Sequence, residues 1–343
     1  ITIPVSLSSS YNYDVDWNND GIYDQTGITG SVTHNFGTAG TYTIRIKGVF
    51  PRIFFNNGGD RQKLLNISQW GTIAWASMAS AFYGCSNLNI SASDVPNLSG
   101  VTSMSSMFRG CTVLNSPANI GNWNTATITN MSNLFLLATA FDQPIGNWNT
   151  AAVTNMSSMF DEAAAFDQPI GNWNTAAVTN MSAMFWNAAA FDQPISNWNT
   201  AAVTDTSCMF AGATAFNQPI GNWNTAAVTN MSNMFRQTAA FDQPIGNWNT
   251  AAVTNMSVMF YQATAFNRPI GSWNTAAVTT MSTMFSGATA FDQPLGNWNT
   301  AAVTDMRDMF RGAAAFDQPI GNWNTAAVTG MWAMFRDATA FNQ

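Results

Sequence analysis

Between Val153 and Trp173 the apolar positions fall at Val153, Met156, Met159, Phe160, Ala163 and Phe166, then at Ile170 and Trp173. The first six follow steps of three and four, the spacing of one buried helix face. Thr154 or Asn155 stands where an N-cap would. The stretch "FDQPIGNW" (166–173) holds Pro169 and Gly171 and cannot prolong a helix. It is expected to be a short extended arm with Phe166, Ile170 and Trp173 turned inward. A helical arm and an extended arm make a unit that buries its apolar face only against another such unit.

The unit recurs. The Trp of "NWNT" stands at 123, 148, 173, 198, 223, 248, 273, 298 and 323, a strict step of 25. Two degenerate copies precede these, "SQWGTIAWASMASAF" (68–82) and "DVPNLSGVTSMSSMF" (94–108), which makes eleven. Divergence at the first copies suits an end that shields the core from water. The expected fold is therefore an α/β repeat solenoid over 66–343, about 11 turns of 25–27 residues, broken off within a repeat at "FNQ". At about 4.8 Å per turn the rod would be on the order of 50 Å long. The chain opens at Ile1 without Met, and both ends are expected to be cuts from a longer protein. Substitutions refine the roles. Asp142 becomes Asn217 and Asn267 in later copies, which keeps an acceptor oxygen but not a charge, so a backbone hydrogen bond explains this column better than a metal. Ser196 replaces the Gly of "PIGNW", so positive φ is not required there. The tandem Asn147 and Asn149 are expected to form ladders along the rod.

Residues 1–50 carry no repeat. "YNYDVDW" (11–17), "SVTHNF" (31–36) and "TYTIRIKG" (41–48) alternate in the manner of strands between Gly-containing turns, and suggest a small all-β sandwich-like domain. Residues 51–65 are apolar enough to form a packed junction. Asp16, Asn18, Asp20 and Asp24 fit D-x-N-x-D-G-x-x-D, oxygen ligands at alternate positions around a hard cation, so calcium is the one cofactor the motifs suggest. The competing account is an Asx-rich turn that holds itself by side-chain-to-backbone bonds.

Charged residues make up only 8 % of the chain, and the net charge is -7. With two lysines, Lys47 and Lys63, there is no basic patch for a nucleic-acid backbone. No apolar run reaches the length of a membrane-spanning helix. Of three cysteines, Cys85 and Cys111 share the contexts "FYGC" and "FRGC" and should stack in neighbouring turns. They are open either to a disulfide or to a role as two small buried residues where later copies carry Ala. Cys208 and the single His34 lack partners for nucleophilic or acid–base chemistry, and no phosphate loop, nucleophile elbow or zinc spacing occurs. An enzyme is not expected.

Three columns change from copy to copy. They begin at Ser158, Asp161 and Glu162 and recur every 25 residues. On a helix, offsets of 0, +3 and +4 would place them on one ridge opposite the buried Met and Phe. Trp186, Arg236, Tyr261, Arg311 and Arg336 belong to this ridge, and Arg307 and Trp332 join it one position earlier. Aromatic residues and Arg anchor interfaces; drift on a solvated face is the alternative.

The phrase "VTNMSSMFxxAxxFxxPIGNWNT" resembles the repeat of BspA-like leucine-rich-repeat surface proteins of bacteria, and the Treponema-type repeat, which Val153–Thr154, Phe160 and Ala163 match. The segment "VTHNFGTAGTYTIRI" (32–46) resembles the closing hairpin of polycystic-kidney-disease-type β-sandwich domains. These resemblances imply a right-handed leucine-rich-repeat-like solenoid, secretion, and adhesion or display at a cell surface. The expected partner is a protein or glycan on another surface. The rivals are a self-assembling filament, with copies of itself as partners, and a carbohydrate-binding module.

Overall fold

The computed structural model describes all residues, 1–343. Strands β1 (Thr2–Ile3) and β4 (Val32–Thr33) pair antiparallel. Strand β2 (Asn12–Asp16) lies between β3 (Gln25–Ile28) and β5 (Arg45–Val49) in a three-stranded antiparallel sheet. Tyr13, Val15, Trp17 and Phe50 are buried beneath it. From there one continuous apolar core runs through the repeats to Met334.

The repeat contains no α-helix; the only helices of the chain are two 3-10 turns, Arg61–Lys63 and Ala118–Asn122. The expected helical arm is overturned by backbone sign. Ser158 and Glu162 have φ of 51° and 57°, and the equivalent residues of every copy from Ser80 and Gly84 onward are also left-handed. Met159 N–H donates to the Met156 carbonyl, and Ala163 N–H to that of Phe160. These are two successive four-residue turns, 156–159 and 160–163, each with its positive φ at the third residue as in a type II turn. A four-residue repeat turns the same Met and Phe positions inward as a helix face would. The periodicity of apolar residues therefore does not distinguish the two.

The remaining amides of this arm point to the following copy. Met156, Ser158, Phe160 and Glu162 donate to the carbonyls of Asn180, Ser182, Met184 and Trp186 at 3.0, 2.8, 2.9 and 2.6 Å. Parallel bridges link Asn155, Asn180, Asp205 and their equivalents in an unbroken series. Asn155 is not a helix cap: its Oδ1 accepts the Ser157 N–H at 2.9 Å in an Asx turn. Asn149 likewise serves its own turn, accepting the Ala151 N–H at 3.1 Å, and forms no ladder. The ladder lies at Asp142, whose Oδ1 accepts the Asp167 N–H of the next copy at 3.0 Å. Asn217 serves Asp242 in the same way, as the shared acceptor oxygen requires.

Inside the stack, Phe160 lies face to face with Phe166 at 3.9 Å and with Phe185 of the next copy at 5.6 Å. Trp173 and Trp198 are 6.4 Å apart and parallel within 2°. From Trp148 to Trp323 each indole N–H of this column is satisfied by the preceding copy, as Trp173 Nε1 donates to the Ile145 carbonyl at 3.1 Å; those of Trp70 and Trp123 are buried without a partner. The Gly of "PIGNW" has ordinary φ, as Ser196 implies; a Cβ at Gly171 would sit 2.5 Å from the Pro194 carbonyl oxygen, so a side chain in this column, as at Ser196, requires the neighbouring turn to shift.

Residues 51–65 do not simply join two parts. Phe55 and Asn57 N–H donate to the Ala81 and Tyr83 carbonyls, the pattern repeated by every later arm. The stack therefore begins with a degenerate arm before the first copy read from sequence.

Valine does not suit a left-handed position, which costs an L-residue roughly 1–2 kcal/mol. Val258 holds φ 63°, where Asn133 and Asn233 stand in other copies. Val258→Asn is expected to raise stability by about 0.5–1 kcal/mol, seen as a higher melting temperature. An unchanged or lower one would show that contacts of the valine side chain outweigh its backbone strain.

Candidate functional site: the face of changing columns

The three changing columns do lie together, on turns and not on a helix. The columns of Ser158 and Glu162 are the left-handed positions, and that of Asp161 lies between them. Within the four last copies they enclose a groove of about 470 Å³. Its lining comes wholly from these columns: Thr283 and Asp308 from the first, Tyr261, Ser286 and Arg311 from the second, Gln262, Gly287, Gly312 and Asp337 from the third. Gly287 and Gly312 follow one another in the stack with φ 71° and 67°, and together they remove the side chains that would close the floor. The recurrence of Gly and Asn in these columns was the sequence signal for the turns.

The seven ridge residues divide between two rows. Arg236 lies over the Tyr261 ring at 5.8 Å. Arg311 approaches Asp308 at 3.5 Å and Arg336 approaches Asp337 at 3.6 Å. Trp186 is half-buried in the same row, beyond Asp161. Arg307 and Trp332 fall in the neighbouring column, that of Ser157, and do not line the groove. Arg307 forks onto Asp305 at 2.8 and 2.6 Å and lies over the Trp332 ring at 5.8 Å. Trp332 is 62 % exposed.

Asp161 departs from the polar character of this face. It is buried, and burial followed by the neighbouring Glu162 pushes its carboxyl up to about 7, against smaller opposing effects of Ser158 and Arg109. In the preceding copy the same position is Leu136.

The other candidate sites take different forms. Both oxygens of Asp16 are taken by the loop itself: Oδ1 accepts the Asn18 and Asn19 N–H groups, and Oδ2 that of Gly21. Burial alone would raise its pKa, but the backbone donors prevail and hold it below the ordinary value. Asn18 Oδ1 accepts the Asp20 N–H, Asp20 the Ile22 N–H and Asp24 the Trp17 N–H. Asp16, Asn18 and Asp20 thus form Asx turns, Asp24 reaches back to the Trp17 amide, and no group of three His, Cys, Asp or Glu gathers there or elsewhere. Cys85 and Cys111 are free, buried thiols and not a disulfide. Cys111 Sγ donates to the Phe82 carbonyl at 3.3 Å, the service that Thr238 Oγ1 performs for Phe210. Burial pushes the Cys85 thiol up to about 12 and raises those of Cys111 and Cys208. His34 stacks on Trp17 at 4.7 Å and meets Phe36 edge-on.

Four overlapping stretches, 52–168, 102–216, 193–278 and 268–343, match the family described as Mycoplasma protein of unknown function, DUF285. The chain belongs to the DUF285 family. The first DUF285 match begins at 52, where the degenerate arm of Phe55 and Asn57 begins, and the matches then run to the last residue. Among curated proteins and among solved structures, none matches the chain. No helix of this DUF285 protein is long and apolar enough to cross a membrane.

Proposed function

We propose that this DUF285 chain is a non-enzymatic, extracellular repeat solenoid of the bacterial leucine-rich-repeat kind that makes contact with another cell or surface through its changing columns. The observation that carries this is the partition of the repeat. The constant letters are spent on core and turns, while the changing ones share one face and line a groove in it. Half-buried Trp186 and Tyr261 with the flanking arginines are residue types that anchor such contacts.

The test is attachment of the purified chain to intact cells. Trp186→Ser combined with Tyr261→Ser is expected to reduce attachment at least about tenfold, the effect of losing one anchoring contact of about 1.4 kcal/mol. Trp332→Ser, in the other row, should reduce it far less. Full attachment by the double variant would overturn the reading.

A further inference from the structure

We propose that the groove beside Tyr261 is a binding site for a neutral carbohydrate. The inference rests on the contact reading above and names the chemistry of that contact. Tyr261 is the only hydrophobic side chain in the lining, which leaves little for an apolar ligand. Asp308 and Asp337 outnumber Arg311, so the lining is net negative and disfavours phosphate, sulfate and carboxylate groups. What remains is a dense set of groups suited to hydroxyls. Gln262 offers an amide, Asp308 and Asp337 offer carboxylate oxygens, and Ser286 and Thr283 offer hydroxyls.

Two independent features point to a missing partner of this kind. One oxygen of Asp308, Oδ1, is enclosed without any hydrogen-bond donor, Arg311 standing off at 3.5 Å. A buried acceptor left unpaired calls for a donor, and a sugar hydroxyl supplies one. Tyr261 is the one aromatic ring of the lining, with the Arg236 guanidinium 5.8 Å from its centroid and Ser286 and Gly287 of the next copy in the same groove. An aromatic platform beside planar amide and carboxylate groups matches a sugar ring, which presents C–H groups on its face and hydroxyls around its edge.

The whole chain should be titrated calorimetrically with neutral oligosaccharides of hexose and N-acetylhexosamine, and with a sulfated oligosaccharide for comparison. Binding of a neutral sugar is expected, weakened at least about tenfold both by Tyr261→Ala and by Gly312→Asn. Gly312→Asn fills the groove without backbone strain, since Asn187 holds the same left-handed position at φ 54°. Unchanged melting of both variants separates loss of the site from loss of the fold. Absence of neutral-sugar binding at millimolar concentration, or tighter binding of the sulfated sugar, would overturn the proposal. If cell attachment still depends on Tyr261 but survives enzymatic removal of surface glycans, the contact reading stands and the carbohydrate assignment falls.

Discussion

Phe210→Ala is expected to destabilise the stack by about 3–5 kcal/mol, the cost of emptying a large aromatic site that cannot collapse. Phe210 is fully buried. Its ring lies 3.9 Å from Phe216, 5.7 Å from Phe185 and 5.9 Å from Phe235, nearly parallel to all three. The cavity would therefore interrupt both the contact within its copy and the contacts to the copies on either side. In a repeat array stability is close to a sum of unit and nearest-neighbour terms, so the damage should be local in place but large in effect. Denaturant unfolding, a single transition for the parent chain if all copies are coupled, should split into two. Amide exchange should show protection lost first around 185–235 and kept near the N-terminal sheet. One cooperative transition displaced by less than about 1 kcal/mol would show that the aromatic stack does not carry the coupling.

The second large effect concerns pH. Asp161 has a folded-state pKa of about 7 against an ordinary 3.8, because burial, with Glu162 beside it, penalises its charged form. A raised carboxyl pKa means that the folded state binds the proton more tightly than the unfolded state. Stability is then greatest below about pH 4, falls as pH rises through the window from about 4 to about 7, and levels off above it. A shift of that size corresponds to on the order of 2–4 kcal/mol. Asp161→Leu, which copies Leu136 of the preceding turn, should remove the pH dependence. It should stabilise the chain markedly at pH 8 and little at pH 4. Melting curves across this range decide the matter: equal slopes for parent and variant would place the charge elsewhere.

Much of the architecture was legible because it repeats. Val153, Met156, Met159, Phe160, Ala163, Phe166, Ile170 and Trp173 are all buried, as the apolar pattern required. The nature of the arm was not legible from that pattern, since tandem four-residue turns and a helix turn the same residues inward. Glycines at 84, 110, 212, 287 and 312, with Asn at 133, 187 and 233, marked the left-handed positions that decide between them. The changing columns stood out in sequence, but the groove did not. It depends on two glycines 25 residues apart coming into contact, which is visible only once copies are laid over one another. The spacing at 16–24 matched a cation loop because Asx turns and oxygen ligation demand the same residues. Which of the two forms depends on where the backbone amides point.

The row of amides leading from each copy to the next has a consequence for assembly. Met156, Ser158, Phe160 and Glu162 present donors on one side of a copy, and Asn155, Ser157, Met159 and Asp161 present acceptors on the other. An array of such copies is polar, like an arrow. Two arrays brought end to end by a two-fold axis would set donors against donors or acceptors against acceptors, leaving buried amides unpaired. Only head-to-tail joining continues the pattern, and that kind of contact does not close on itself unless its rotation returns to the start. Any fibre built by extending this repeat would therefore be directional, with two chemically different ends and all its changing columns presented in the same sense.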